Sequence, residues 1–378
     1  MTLNPFVYSR PIEPDDVIGR EQECRELLAL AAGGHFARLS APRKYGKTSV
    51  LRRVLRDAER SEGMVPVLVD LYGVVSLADA TVRIERAYAS QLKGKVRRRI
   101  DSLLQSTGLG LSLSAMGIGA RLQLEPRLDP LPAFHTLLNL PLQLNASSGR
   151  RALIVFDEFQ ELAKVHSIDA ILRSHIQFQG EVASYVFSGS EPALMRQLFD
   201  ERDRPLCGQA APITLGRLES RDIAAYVVDR FQRAGRDSGE GVGPLLAAAR
   251  GHPQRAMLLA HRLWEEVSDR GSATLAHWQR AFDRTLVQLQ PELEAHWQRL
   301  TPTEQKTVRA VVAGRGSPYR TAVLERLGLS KGSAQEALRN LTARAEVESG
   351  EAGYDLVDPV FSIWIERLRA GPPLEADG

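Results

Sequence analysis

The segment SAPRKYGKTS, residues 40–49, limits what this chain can fold into more than any other stretch. It ends in Gly46-Lys47-Thr48, which matches the last three fixed positions of the phosphate-loop pattern G-x-x-x-x-G-K-[ST]. The first glycine of the pattern is replaced by Ala41, and alanine is acceptable there if its φ is negative, because only a positive φ requires glycine. We therefore predict a phosphate loop between a strand and a helix; a chance triplet in an unrelated turn is the alternative.

The flanking sequence supplies the strand and the helix that this loop requires. Residues 35–39, HFARL, form a short apolar run of the kind found in strands. After the loop, apolar residues recur at helical spacing, at Val50, Leu51, Val54, Leu55 and Ala58. Strand, loop and helix in this order are the context in which the pattern binds a phosphate group.

The same alternation continues along the first half of the chain. Further strands are predicted within four segments, 64–72, 151–162, 183–191 and 211–218. Segment 151–162 opens with a continuous apolar run, and segment 183–191 ends in small polar residues. Helices are predicted at 80–105 and 134–144, and alternating residues at 107–125 suggest an inserted β-hairpin. Strands that alternate with helices indicate an α/β fold with a parallel sheet covered on both faces. We assign this domain to residues 1–216.

The strand patterns stop near residue 219, and helical patterns follow. We predict a helical lid domain over 217–295. Three helical segments and a short two-stranded pattern within 296–370 indicate a winged helix-turn-helix. The final residues, 371–378, are expected to form a flexible tail.

The residues of the loop have distinct expected roles. Lys47 would reach the β- and γ-phosphates of a nucleotide, and Thr48 would ligate Mg²⁺. Backbone N–H groups of the loop, together with the N-terminus of the next helix, would surround the phosphates. The other residues expected to contribute are Pro42, Arg43, Lys44, Tyr45, Gly46 and Ser49.

An acidic pair, Asp157-Glu158, follows the apolar run 152–156. An aspartate that ends a buried strand can hold Mg²⁺, and the adjacent glutamate can orient or deprotonate an attacking water. The alternative is an ordinary helix N-cap followed by an acid in the first turn. Because the pair lies about 110 residues after the phosphate loop in an alternating α/β pattern, we favour the hydrolytic interpretation.

Three further sites are candidates, each with a structural alternative. Ser190, at the end of the next strand, could hydrogen-bond the γ-phosphate or the lytic water, or simply cap a helix. Pro253 and Arg255, in GHPQR, could bring a lid helix to the phosphates, or mark a plain helix start. Arg204, in the charged loop DERDRPL, could reach the nucleotide of a neighbouring subunit, or be simply solvated.

Eight short motifs occur in order along the chain: NPF, GREQE, PRKYGKTS, FDEFQEL, FSGSE, GHPQ, LTPTEQ and DPVFSIWI. This series resembles the archaeal-type ATPase family of AAA+/STAND P-loop proteins, relatives of the archaeal origin-recognition initiators. The resemblance implies a domain that binds ATP and Mg²⁺, a helical lid and a C-terminal winged helix. It also implies that Gly19 and Arg20 lie on the adenine side and that Pro253 belongs to the lid motif. The initiators carry an arginine where this chain has Gln254.

A contact with double-stranded DNA is predicted for segment 330–347, the candidate recognition helix. Its basic residues Lys331, Arg339 and Arg344 would face the duplex, where phosphate contacts supply much of the affinity. The segment is only modestly basic, and winged helices also bind proteins or pack within their own chain. The densest positive cluster, 93–99, is either a solvated helix face or a further phosphate-contacting patch.

The composition limits which partners, which cysteine-based sites and which cellular location are to be expected. A formal net charge of +3 is weak support for a nucleic-acid partner, and two distant cysteines exclude a thiolate zinc site and a disulfide framework. Neither a secretory signal nor an apolar run of membrane-spanning length is apparent, so we expect a cytoplasmic protein without a membrane partner.

The sequence thus predicts a slow ATPase that acts as a molecular switch, with ATP and ADP as ligands. The state of its nucleotide would control the binding of DNA or of a protein partner through the winged helix. Two other interpretations stay open: a DNA-binding regulator that binds ATP with little turnover, and a protein-interaction ATPase without DNA contact. The sequence also leaves open whether the chain forms a homo-oligomer.

Overall fold

The computed structural model describes residues 3–92, 129–165, 167–314, 316–350 and 353–370. Three predicted features lie outside the described residues: the inserted hairpin at 107–125, the positive cluster at 93–99 and the tail at 371–378. Within the described part of the chain, no helix is both long enough and apolar enough to cross a membrane.

Among the described residues, a five-stranded sheet forms the centre of the first domain. Its strands are β1 Ala37–Ser40, β2 Val65–Asp70, β3 Ala152–Asp157, β4 Ala183–Gly189 and β5 Ala211–Thr214. Their spatial order is β2-β3-β4-β1-β5, and all neighbouring strands are parallel. The parallel sheet predicted from the alternating pattern is confirmed.

Helices accompany the strands of this sheet. They are α1 Glu21–Ala32, α2 Lys47–Ser61, α3 Leu77–Gln91, α4 Leu131–Ser148, α5 Ile168–Ile176 and α6 Pro192–Asp200. The strands β3 and β4 are buried along their whole length, as their continuous apolar sequences require. The residues whose spacing predicted α2 are its buried face: Val50, Leu51, Val54, Leu55 and Ala58.

The strand register brings the predicted site segments to one edge of the sheet. β1 pairs with β4 so that Ser40 lies beside Gly189, and β3 pairs with the other side of β4. In a parallel sheet the chain leaves every strand at the same edge, which is where ligands bind. The phosphate loop, the acidic pair and Ser190 therefore follow three adjacent strands and lie side by side.

The lid, residues 217–299, consists of α7 Ser220–Arg233, α8 Val242–Ala249, α9 Pro253–Glu266 and α10 Leu275–Arg299. Helix α10 continues past the boundary predicted at residue 295. A capping box formed by Thr301 and Glu304 starts the next helix.

The C-terminal unit, residues 301–370, begins with α11 Pro302–Ala313, α12 Thr321–Leu327 and α13 Lys331–Ala343. The strands β6 Val347–Gly350 and β7 Gly353–Leu356 pair antiparallel, and α14 Pro359–Ala370 follows them. Three helices and then a hairpin is the order predicted for a winged helix-turn-helix. Helix α13, the candidate recognition helix, lies against α6 of the first domain.

The lid and the C-terminal unit share one hydrophobic core. Phe231 and Leu263 of the lid belong to the same buried cluster as Val347 and Phe361 of the C-terminal unit, and Phe6 joins them from the N-terminal segment. The first domain packs around separate clusters. We call residues 217–370 the C-terminal body, because the shared core joins its two parts.

Candidate functional site

The loop between β1 and α2 turns at two residues with positive φ, Lys44 at 67° and Gly46 at 87°. A Cβ atom on Gly46 would meet nothing within 4 Å, so glycine is favoured by the left-handed backbone rather than by crowding. Ala41 does not have a positive φ. Alanine therefore fits where the motif usually has its first glycine.

Lys47 begins α2 and is buried beneath the loop. Its Nζ donates to the carbonyl oxygens of Ala41 at 3.2 Å and Pro42 at 3.4 Å. Burial lowers the pKa of Lys47, while the nearby Glu158 and Asp157 act against that shift. A phosphate group is a suitable counter-charge for an ammonium in this position.

Thr48 and Asp157 meet although they lie on different elements. The Thr48 hydroxyl donates to Asp157 Oδ2 at 3.1 Å. Burial raises the pKa of Asp157 because it removes water from the carboxylate, and a divalent cation would offset that cost. A hydroxyl and a carboxylate are oxygen ligands that suit Mg²⁺, so the two residues fit this ion.

The described residues contain no group of three or more His, Cys, Asp or Glu side chains that could hold a metal. Mg²⁺ commonly binds through one or two carboxylates and keeps phosphate and water oxygens as its other ligands. The pair Thr48 and Asp157 therefore suits an ion that arrives with a nucleotide.

Glu158 has a left-handed backbone, with φ at 54°, and two side chains hold its carboxylate. The Ser190 hydroxyl and the Gln160 amide both donate to Glu158 Oε2, each at 2.5 Å. The Gln160 amide also donates to Ser190 Oγ at 3.1 Å. Ser190 was predicted to contact the γ-phosphate or the lytic water, whereas its hydroxyl contacts Glu158 in this structure. Gln160 was missed, because nothing in FDEFQEL signals that this side chain turns back toward the acidic pair.

Gly189 makes room for this arrangement. A Cβ atom at Gly189 would come within 2.5 Å of the Met195 side chain and 2.7 Å of Gln160 Oε1. Such distances are far below normal contact, so a larger residue would displace the Gln160 amide. The glycine in FSGSE therefore has a packing reason, which the sequence alone did not show.

A cavity of about 370 Å³ lies in front of the loop. Lys47, Thr48 and Glu158 line it together with Tyr72. Its other walls come from the N-terminal segment 7–12, from the loop residues Arg43, Lys44, Gly46 and Ser49, and from the lid residues Pro253, Gln254 and Met257. Pro42 and Tyr45, which were also predicted to contribute, do not line it. A volume of this size is in the range of small-molecule sites, and Pro253 is one of the residues that line it.

A smaller, apolar cavity of about 50 Å³ shares lining residues with the first. Its other walls are formed by Val17, Ile18, Arg20, Tyr45, Val50 and Leu218. Arg20 is buried and donates to Glu23 and to the carbonyl of Gly216, whereas Gly19 lies beside Asp222 outside both cavities. A wider groove of about 560 Å³ runs along α2, and none of the predicted site residues lines it.

The side chain of Tyr45 points away from the larger cavity. Its ring contacts His252, with ring centroids 5.0 Å apart, and its hydroxyl donates to Glu348 of β6 at 3.2 Å. Burial lowers the pKa of His252 to about 3, so this histidine is neutral in the folded protein. Tyr45 thus connects the phosphate loop with both parts of the C-terminal body.

Arg255 also lies outside the cavity, and Gln254 lines the cavity instead. The Arg255 side chain is 1% exposed, and its guanidinium donates to Asp358, including from Nε at 3.0 Å, and to Glu292 at 3.2 Å. Arg255 therefore joins α9 to the start of α14 and to α10. It does not face the position that a phosphate would take beside Lys47.

The remaining predicted residues, Arg204, Lys331, Arg339 and Arg344, do not line either cavity. Arg204 lies in the turn after α6, 3.9 Å from carboxylate oxygens of Asp169 and Glu201. On α13, Lys331 and Arg339 are exposed. Arg344 follows that helix and donates to Glu304 at 2.7 Å, so its charge is compensated within the C-terminal unit.

Comparison with solved structures supports the fold. The Walker-type ATPase of Pyrococcus abyssi is similar over 95% of this chain and 99% of its own, with 18% identity and a TM-score of 0.67. The ORC2 protein of Aeropyrum pernix in its ADP form is similar over 96% of each chain, with 14% identity and a TM-score of 0.53. Its ADPNP-ADP complexes are similar over 97% of this chain and 99% of that one, with 13% identity and a TM-score of 0.50.

No protein-family model and no curated protein matches the sequence. The structural similarity shows that this chain has an α/β P-loop fold with a helical lid, as in these two solved structures. At the level of fold, the resemblance drawn from the ordered motifs is confirmed.

Proposed function

We propose that this chain binds MgATP beside residues 41–49 and hydrolyses it slowly, as a switch whose nucleotide state controls what the C-terminal unit binds. The observation that carries the proposal is the 3.1 Å hydrogen bond between Thr48 and Asp157, next to the buried Lys47. A lysine, a hydroxyl and a carboxylate together at the edge of a parallel sheet are what a nucleotide phosphate and its Mg²⁺ require.

Each group has a defined part in phosphate binding. Lys47 and the N–H groups at the start of α2 would hold the β- and γ-phosphates. Thr48 and Asp157 would hold Mg²⁺, which neutralises phosphate charge when it is bound. The ORC2 protein of similar fold is described in complexes with ADP and ADPNP, which agrees with a nucleotide in this position.

The apolar part of the site favours a purine base. Ile12 and Met257 line both cavities, and Val50 and Leu218 extend the apolar surface. A flat ring buried there would leave its phosphates pointing to the loop. Arg20, which lines the smaller cavity, fits the adenine side that the resemblance implies.

Glu158 is our candidate for activating the attacking water. It lines the cavity, and hydrogen bonds from Ser190 and Gln160 fix its Oε2. A carboxylate held in one orientation can accept a proton from a water molecule that attacks the γ-phosphate. Ser190 would then act by positioning Glu158, and Gln160 shares that role.

The lid would respond to the nucleotide because Pro253 and Gln254, at the N-terminus of α9, line the cavity. The positive end of a helix attracts a nearby phosphate group. ATP and ADP would therefore attract the N-terminus of α9 to different extents, and the C-terminal body would take a different position with each nucleotide. Arg204 does not line the cavity, so it would act only on the nucleotide of a neighbouring subunit in a homo-oligomer.

Titration with a fluorescent ATP analogue tests the proposed site. We expect saturable binding that weakens about tenfold when Mg²⁺ is removed with a chelator, because unneutralised phosphates repel Asp157 and Glu158. Binding would be followed by fluorescence anisotropy with and without the ion. A chain that shows no saturable binding in either condition would contradict the proposal.

We propose that the C-terminal unit binds DNA, and that the exposed Lys331 and Arg339 of α13 contact its phosphates. The double variant Lys331→Ala with Arg339→Ala should lower the slope of log affinity against log salt for a random duplex by about two. The charge-matched control replaces Arg221 and Arg233, exposed residues of α7. If the control variant lowered the slope of log affinity against log salt by the same amount, DNA binding could not be assigned to α13.

A protein partner is the second candidate, because the hairpin of the C-terminal unit is acidic. Glu348 and Asp355 of this hairpin pair with Arg217, and Asp355 also pairs with Arg250 at 3.2 Å. These carboxylates compensate the charges of Arg217 and Arg250, so neither arginine is free to contact DNA phosphates beside the hairpin. Failure of the wild-type chain to bind any duplex at low salt would favour this second candidate.

A further inference from the structure

We propose that Glu292, on helix α10, sets the preference of the site between ATP and ADP by competing with the phosphates for Lys44. The inference rests on the proposed function, since it concerns how that nucleotide site is regulated. It is independent of the roles argued above for Lys47, Thr48 and Asp157.

Lys44 belongs to the phosphate loop, yet its charge is engaged by the C-terminal body. Its Nζ donates to Glu292 Oε1 at 2.7 Å, while the residue itself lines the cavity. Both side chains are about half exposed, 44% and 47%. Such a pair is easily exchanged for another partner, because a solvent-exposed ion pair is weak.

Glu292 is held in place from its other side. Arg255 donates to the same Glu292 Oε1 at 3.2 Å, and Arg255 is fixed by its hydrogen bonds to Asp358. The carboxylate therefore stays near the loop whether or not Lys44 contacts it. Lys44 is the mobile partner in this contact, since its side chain is long and unbranched.

A second carboxylate of the C-terminal body approaches the same loop. Glu348 accepts from the Tyr45 hydroxyl at 3.2 Å, and Arg217 binds Glu348 in turn. The loop thus meets Glu292 through Lys44 and Glu348 through Tyr45. Two negative groups from one body lie next to the residues that would surround phosphates.

The different charges of ATP and ADP would act differently on Lys44 and Glu292. ATP carries one phosphate more than ADP, so it draws Lys44 more strongly and is repelled more strongly by Glu292. When Lys44 turns to the phosphates, the C-terminal body loses one of its contacts with the loop. Coupling between sites is reciprocal, so this contact must also disfavour ATP relative to ADP.

The test compares the dissociation constants of ADP and of a non-hydrolysable ATP analogue in the full-length chain. Glu292→Gln removes the charge and keeps the shape, and we expect the ratio of the analogue constant to the ADP constant to fall about two- to fivefold. The shift should shrink as salt is raised. Glu294→Gln, two residues along α10 and bonded to Gln290, is the matched control and should leave the ratio unchanged.

A double-mutant cycle isolates the contact. In a chain that already carries Lys44→Gln, the change Glu292→Gln should shift the ratio much less, because Glu292 would no longer compete for that ammonium. An equal shift in both backgrounds would overturn the inference, as would a wild-type ratio in Glu292→Gln. If the wild-type chain bound neither nucleotide, the proposed function itself would fail and this inference with it.

Discussion

Replacing Glu158 with glutamine is expected to lower the rate of ATP hydrolysis at least about 100-fold, because a general base contributes roughly that much or more to such a reaction. The amide keeps the size of the side chain but cannot accept a proton from water. Nucleotide binding should change little, since Lys47, Thr48 and Asp157 remain in place. Phosphate release under saturating MgATP, together with the binding constant of a fluorescent analogue, would be measured on the same preparation.

The matched control for this experiment is Lys47→Ala, which should weaken binding itself by removing the phosphate contact. The two variants therefore separate hydrolysis from binding. The Glu158→Gln variant should lose turnover while its nucleotide binding still saturates, and the Lys47→Ala variant should no longer reach saturation. Wild-type turnover in the Glu158→Gln variant would assign the base to another group. Hydrolysis that is equal in wild type and both variants would mean that this site does not hydrolyse ATP.

The second large effect is expected at Arg255, where replacement by alanine should lower the free energy of unfolding of the C-terminal body by about 3 kcal/mol or more. The guanidinium is 1% exposed and binds Asp358 and Glu292, and its removal leaves Asp358 without its cation, whereas Glu292 keeps Lys44. Breaking one side of a buried ion pair is costly because the other charge stays buried. Asp358 lies immediately before α14, so this loss would loosen the joint between the lid and the C-terminal unit.

Tryptophan fluorescence in a urea titration would report this change selectively. The chain contains four tryptophans, and all of them lie in the C-terminal body, at Trp264, Trp278, Trp297 and Trp364. Arg233→Ala is the control, because Arg233 pairs with Asp229 on the surface of α7 and should contribute less than about 0.5 kcal/mol. If Arg255→Ala and Arg233→Ala had the same urea midpoint and the same slope of unfolding free energy against urea, the contacts of Arg255 with Asp358 and Glu292 would add nothing to stability.

Several parts of the site could be predicted because they depend on local sequence. The GKT triplet, the apolar strand before it and the helical spacing after it constrain one continuous stretch of backbone, residues 35–58. Asp157 follows a continuous apolar run, and such a run in an α/β chain forms a buried parallel strand. Once the strands are parallel, their ends share an edge, so Thr48 and Asp157 can be placed on the same edge; the contact between them depends on the strand order, which the sequence did not give.

Other parts could not be predicted because they depend on where separate elements pack. Gln160 turns back to Glu158 and Ser190 only because Gly189 leaves room on the neighbouring strand. Arg255 was expected to face the phosphates, yet the carboxylates of Asp358 and Glu292 hold it at the joint of the C-terminal body. No spacing in the sequence records that residues about 100 positions apart will meet.

The sequence by itself determined the α/β class, the phosphate loop and the acidic pair, because hydrophobic period and turn chemistry act over a few neighbouring residues. Only the tertiary structure decided that Lys44 and Tyr45 face Glu292 and Glu348, and that Gln254 rather than Arg255 lines the cavity. The physical reason is that a charged side chain takes the partner that packing brings within reach, and packing sums contacts from the whole chain.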